Sequence, residues 1–252
     1  MPTRRSIIAG SLAATVAGLA KPVLAQGIAA DDPRYAAFAA ARRKAWSALG
    51  PVDEDVITYL LSPQFNGGPA WPTTRQAYCV IRPADSLIIA SDGLSDLFVG
   101  TDLAAPGFGC EVFIECPDLA GARFEDLKRS WQFQLIENFA QNVADFGGIN
   151  GVLEMYGVIS MELPATGNTP PRWITPRGSV GALVGIEVPG RPSRCTLAPD
   201  ADIRLVALTL LLPDETEQVI AGGAAARRNL REKLVAAGTG LTSPANRRSV
   251  LA

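Results

Sequence analysis

Residues 91–116 read SDGLSDLFVGTDLAAPGFGCEVFIEC, and the two halves of this stretch obey different rules. The second half alternates. Phe108, Cys110, Val112, Ile114 and Cys116 fall on one face of an extended chain, and Glu111 and Glu115 on the other. This predicts a strand over 108–116 with an apolar inner face and two solvated glutamates outside. The first half, 92–107, is a loop rich in aspartate and glycine. Gly93 permits a turn after Ser91-Asp92, and Asp92 and Asp96 are suited to accept backbone N–H groups in such turns. Gly107 and Gly109 flank Phe108, where bare backbone allows close approach as loop becomes strand.

Working outward, the flanking segments give a mixed α/β order. Asp31 or Asp32 caps a helix over 33–49 that Pro33 opens, with Tyr35, Phe38, Ala41, Ala45, Trp46 and Leu49 as its apolar stripe. Residues 62–75 read as loop. Short strands are predicted at 77–82 and 86–91, on either side of Pro83-Ala84-Asp85. Beyond the decisive stretch, Phe124, Leu127, Trp131, Leu135, Phe139 and Val143 recur at helical spacing, predicting one helix over 123–146 that Gly147-Gly148 end. Further strands are expected at 152–163, 180–188 and 203–212. A last helix over 214–237 is weakened at Gly222-Gly223, and the tail 241–251 is a candidate edge strand. Phe146, Met155 and Tyr156 are read as core. The four tryptophans show no spacing of a stacking platform.

The chain has 252 residues, 23 basic and 25 acidic groups, and no histidine. The charge balance disfavours a nucleic-acid binder, which would present an excess of lysine and arginine to phosphates. The absence of histidine removes serine–histidine and cysteine–histidine nucleophiles and histidine-ligated zinc. No G-x-S-x-G elbow, phosphate loop or dinucleotide fingerprint occurs. Asp118, Glu125 and Asp126 are acidic residues of the kind that favour a helix N-terminus. The sequence therefore names no catalytic residue, metal-ligand set or cofactor.

The N-terminus reads as an address. Arg4 and Arg5 precede an uncharged apolar run from Ile7 to Ala20, and Val23-Leu24-Ala25 is a small-x-small cleavage pattern. The paired arginines favour a twin-arginine export signal over a general secretory one. Residues 1–25 are thus expected to be removed, leaving 20 basic against 25 acidic groups, a net charge of −5. No other segment approaches the length of a membrane span, so the mature chain is expected in the periplasm or secreted, off the membrane. Export permits disulfides, but Cys110 and Cys116 lie about 20 Å apart along one strand and cannot pair. Four buried free thiols are expected, with pairing that involves Cys79 or Cys195 the open alternative.

The stretch 91–116 resembles the signature of the suppressor of fused domain family, in which a G-L-S-D-L-[YF]-G-like turn precedes a G-F-G-x-E strand. The resemblance continues in WQFQLIENFAQNV (131–143), in IRLVALTLLLPDETE (203–217), and in the closing segment with Asn246-Arg247-Arg248-Ser249. It spans about 90–251. It implies an α+β (mixed α/β) single domain with a mixed, largely antiparallel sheet packed by helices, as in the N-terminal domain of suppressor of fused. The implied organisation is an export signal (1–25), a helical and loop extension (26–75) and the suppressor of fused-like domain (76–252), without the second domain of animal relatives. Asp92, Gly93, Ser95, Asp96, Gly107, Phe108, Gly109 and Glu111 would shape the signature loop.

The resemblance also implies a non-enzymatic module that binds an unidentified protein or peptide. In the animal relatives an extended peptide adds a strand, with contacts from the tyrosine of the turn and the aspartate of the following T-D; here those positions are Phe98 and Asp102. Bacterial members of the family are proposed as immunity proteins that neutralise toxins. Two readings of the loop stay open. Phe98 and Asp102 are either an exposed anchor or a core ring and a turn cap. The alternative function is a periplasmic enzyme that uses the carboxylates of Asp92, Asp96 and Asp102, with a metal such as calcium.

Overall fold

The computed structural model describes residues 27–103 and 105–251, so the segment expected to be an export signal, with Arg4, Arg5 and Ala25, lies outside the described residues. Asp32 caps helix α1 (Pro33–Ser47), accepting from the Arg34 backbone N–H at 2.9 Å, and Pro33 opens it. Eight strands follow in one sheet: β1 (Ile57–Thr58), β2 (Ala77–Ile81), β3 (Leu87–Asp92), β4 (Cys110–Cys116), β5 (Ile159–Pro164), β6 (Ser179–Val184), β7 (Arg194–Ala198) and β8 (Ala201–Leu211). Their order is β1-β2-β3-β4-β8-β6-β5, with β7 also paired to β8. Neighbours are antiparallel except β4 and β8, which run parallel in the register Cys110 opposite Arg204 and Phe113 opposite Ala207. This is the mixed, largely antiparallel α+β architecture that the sequence implied.

Helices cover both faces. On one face α3 (Trp131–Asp145) lays Trp131, Leu135, Ile136, Phe139 and Val143 over Cys110, Val112, Ile114 and Cys116. Burying each such large apolar side chain contributes about 1.5–3 kcal/mol. On the other face α1 and α5 (Pro213–Ala236) pack Phe38, Trp46, Leu230 and Leu234 against Ile88, Ala90, Phe113 and Ala207. Trp46 meets Phe113 edge to face at 5.6 Å. All seven residues of β4 are consequently buried. Glu111 and Glu115 are therefore not solvated, contrary to the expectation from alternation. A pattern of period two tells the faces of a strand apart, but it does not say how many of them are covered.

Other elements also differ from the sequence reading. Ser130 splits the helix expected over 123–146 into a short α2 (Phe124–Leu127) and α3, because its hydroxyl accepts from the Phe133 N–H as an N-cap. The run 152–163 holds a helix, α4 (Asn150–Tyr156), before β5 begins. Phe146, Met155 and Tyr156 are exposed rather than core, since the C-terminal end of α3 and the outer side of α4 face solvent. Trp131 and Trp173 come together at 6.0 Å. In the tail, Thr242 makes a single bridge to Glu115 instead of a strand. Helix α5 kinks at Gly223, as Gly222-Gly223 foretold. The four cysteines are free and buried. Burial pushes the thiols of Cys79, Cys110 and Cys116 well above their usual pKa.

Candidate functional site

The loop between β3 and β4 is built around one carboxylate. Glu111 is wholly buried and accepts from the Ser91 hydroxyl at 2.5 Å, the Ser95 hydroxyl at 2.6 Å, and the Gly93 and Ser95 backbone N–H groups at 3.1 Å. The turn Asp92–Asp96 is thereby wrapped around a side chain of the following strand, and Ser91 in turn accepts from the Val112 N–H. Where the loop re-enters the strand, Gly107 has φ +26°, and a Cβ there would stand 2.4 Å from the Leu94 carbonyl oxygen. Only glycine closes that turn. Asn150 donates to the Gly109 carbonyl at 2.9 Å and fixes the other side.

The counter-charge comes from α1. Arg42 is buried in phase with Phe38 and Trp46, and its guanidinium reaches three carboxylates. Its Nε donates to Asp92 Oδ1 at 2.9 Å, its Nη1 donates to the Ser95 hydroxyl at 3.1 Å, and its Nη2 lies 2.8 Å from Asp96 Oδ1. Glu111 Oε1 is 3.6 Å from Nε. Arg75 closes the outer side, donating from Nη2 to Asp92 Oδ2 at 2.5 Å and from Nη1 to the Asp92 carbonyl at 2.9 Å. Burial alone would discharge Arg42, but Glu111, Asp92 and Asp96 outweigh it and raise its pKa. Burial likewise raises the carboxyls of Glu111 and Asp96. For Asp92 burial is overcome by Arg42 and Arg75, and its pKa falls.

The tip of the loop is different in character. Phe98 is half-buried and stacks edge to face on Phe108 at 5.3 Å. Beside it Val99 and Leu103 are 43% and 62% exposed, and Asp102 is exposed. Gly100 donates to the Ile28 carbonyl at 2.8 Å and Ile28 donates to the Thr101 carbonyl at 2.7 Å, so the N-terminal segment straps this tip. The tyrosine hydroxyl of Tyr35, on α1, donates to the Leu97 carbonyl at 3.0 Å.

The loop residues expected from the sequence are thus brought together, and they divide into two groups. Asp92, Gly93, Ser95, Asp96 and Glu111 form a buried polar centre, while Phe98 and Asp102 lie at the surface tip. A guanidinium bridges Asp92 and Asp96, in the place where a calcium ion would have been expected to draw them together. Among the described residues no group of three histidine, cysteine, aspartate or glutamate side chains is arranged so that it could hold a metal ion. Arg42 and Arg75 were missed by the sequence reading. The available signal was the phase of Arg42: it stands four residues from Phe38 and four from Trp46, on the apolar stripe.

Fold and site together define a mixed-sheet α+β domain that presents a braced loop. No family model matches the chain, and no curated protein does. Among solved structures it is similar to a chain of the Sufu–Fu complex crystal structure, at 14% identity and a TM-score of 0.49, over 86% of this chain and 92% of that one. It is also similar to the crystal structure of Drosophila Suppressor of Fused, at 13% identity and a TM-score of 0.49, over 87% of this chain. There it spans 51% of the other chain, about half its length.

Proposed function

We propose that this protein is a non-catalytic protein-binding module of suppressor of fused-like type, whose partner contacts the tip of the 92–109 loop. The observation that carries the reading is the contrast within one loop. Its base is fixed by a buried carboxylate that accepts four hydrogen bonds, while its tip exposes Val99, Leu103 and Asp102 around the half-buried ring of Phe98. Apolar surface held rigid in water is suited to capture a partner, because little ordering entropy is lost on binding. An aromatic anchor beside a carboxylate supplies both area and orientation. The signature residues of the sequence support the same reading. The paired arginines and apolar run at the N-terminus are the sequence features behind a periplasmic or secreted site of action, where neutralising an incoming toxin is the role we favour.

Phe98→Ala and Asp102→Asn test it. Purified mature protein carrying a photo-crosslinker at residue 99 should capture a partner from the periplasm, and both substitutions should abolish or weaken that capture. Because the ring is only half-buried, Phe98→Ala should cost about 1–2 kcal/mol of stability, less than the 3–5 kcal/mol of a core phenylalanine. Capture unchanged in both variants, with both folded, would overturn the assignment of the tip.

A further inference from the structure

Beside the buried centre an open cleft of 390 Å³ lies between α1 and the loop, walled by Tyr35, Trp71, Pro72 and Val99 and lined by Asp96 and Arg75. Asp96 is 4% exposed, and its Oδ1 touches Arg42 without hydrogen-bond geometry. Trp71 is 3% exposed, and its indole N–H has no partner among the described residues. Gly93 explains how the two meet. A Cβ on Gly93 would stand 3.0 Å from the Arg75 carbonyl oxygen, 3.4 Å from Trp71 Cε3 and 3.6 Å from Asp96 Oδ2. The bare glycine therefore lets a carbonyl, a carboxylate and an aromatic ring close in around it, in less room than a methyl group ordinarily takes.

The charge beside the cleft is not balanced. Asp92, Asp96 and Glu111 face two guanidiniums, those of Arg42 and Arg75. The Arg75 guanidinium is committed to Asp92 by two bonds, and Asp92 is also held by Arg42. One negative charge is left over when all three acids are ionised, and Asp96 is the member that lines the cleft. Its field reaches the wall opposite: after burial, the Asp96 charge is the largest influence raising the Tyr35 phenol. Two oxygen acceptors, a cluster whose acids outnumber its guanidiniums and aromatic walls are the chemistry that recognises an organic cation.

We propose that this cleft binds a primary ammonium or guanidinium group, with Asp96 as counter-charge, the Arg75 carbonyl as second acceptor, and Trp71 and Tyr35 as walls. Its volume suits a group the size of a lysine side chain, near the lower end of about 300–1,000 Å³ for small-ligand sites. The site borders the tip through Val99 but does not use the Phe98 ring, so Phe98→Ala distinguishes its failure from that of the function proposed above. A free amine and the side chain of a partner share this chemistry.

The test is NMR titration of the mature protein with n-butylammonium, with n-butanol as the uncharged control, and with a capped Gly-Lys-Gly peptide. n-Butylammonium should give saturable shifts of the Gly93 amide and the Trp71 indole with a Kd of about 1 mM. Asp96→Asn should weaken it at least about tenfold, Trp71→Leu should also weaken it, and Phe98→Ala should leave it unchanged. A peptide bound about tenfold more tightly than the amine assigns the site to a partner's side chain; equal affinity assigns it to a free amine. No saturation by about 20 mM, equal binding of n-butanol, or full affinity in Asp96→Asn would overturn the proposal. Should Asp96→Asn not fold, full affinity in Trp71→Leu overturns it equally.

Discussion

Two arginines, Arg42 and Arg247, are buried among the described residues, and the stoichiometry of their centres separates them. Arg247 faces one acid: its Nη1 and Nη2 donate to the two oxygens of Glu215 at 2.6 Å, and its guanidinium lies 5.5 Å over the Trp173 ring. Glu215 is completed by the backbone N–H groups of Leu212 and Val250, and Arg247 by the Leu210 carbonyl. Charge is matched one to one, and the pair ties the closing segment to the start of α5. Arg42 faces three acids and shares one of them with Arg75. Both centres lie in the interior, so burial does not tell them apart. Arg247 and Asp96 each border a cleft, so what separates the centres is the charge count and, for the unbalanced one, the exposed tip beside it. An excess of like charge that the protein holds in place is where a ligand or a proton has something to add.

The largest effect expected from this comparison is at the balanced pair. Arg247→Ala should destabilise by about 3–5 kcal/mol, because Glu215 is left charged and buried without its partner. Replacing both members, Glu215→Leu with Arg247→Met, should recover most of that loss, as removing a matched pair leaves no stranded charge. Urea denaturation of the two variants measures this. A double variant as unstable as Arg247→Ala would mean that the pair positions backbone in a way apolar packing cannot replace.

Arg42→Met should fall between, at about 2–4 kcal/mol near pH 7, and unlike the first it should depend on pH. Without the guanidinium, Asp92, Asp96 and Glu111 repel one another in a poorly solvated place, and protons relieve this. The cost should shrink on acidification from pH 7 to 5, as followed by thermal unfolding. A cost independent of pH would show that Arg42 acts by packing between Phe38 and Trp46 alone.

How much of this was legible in sequence follows from the range of the interactions. The β2–β3 pair, β4, α3 and β8 carry their own periodicity, so each was readable from its own residues, as was the loop, whose glycines and aspartates are local devices. The pairing of Arg42 was not, because its acids lie 50 to 69 residues away on a different element. A lone arginine on an apolar stripe announces burial but not with whom. Phe113, standing between Glu111 and Glu115, was a readable sign that the second face of β4 is also apolar, and it makes the burial of both glutamates intelligible. Residues 150–156 were misread because a seven-residue helix shows too few turns to separate its period from that of a strand. The five-residue β7 is short and half-exposed, and it is defined by pairing with β8 rather than by any pattern of its own.

The smallest effect, and the sharpest for the comparison, is that of Asp96→Asn. In a matched pair, neutralising the acid strands the arginine; Arg42, by contrast, keeps Asp92 and Glu111 when Asp96 loses its charge. Stability near pH 7 should therefore change by no more than about 1 kcal/mol. The shape of the pH profile should change more than its height. Asp96 and Glu111 have raised pKa values in the folded state, so the folded protein holds their protons more tightly than the unfolded chain. Their effect is to make stability fall as pH rises above the ordinary aspartate and glutamate values of 3.8 and 4.5 toward the raised ones. Asp92 acts in the opposite sense: its pKa is lowered, so its contribution is present above 3.8 and is lost as pH falls through the lowered value. Removing the Asp96 titration should flatten the decline above the ordinary carboxylate values that Asp96 and Glu111 together produce, while the acid limb governed by Asp92 remains. Urea unfolding at half-unit steps of pH would resolve the two limbs. A loss above about 2 kcal/mol at pH 7 with an unchanged slope would show that Arg42 requires Asp96 as Arg247 requires Glu215, and the distinction between the two centres would fail.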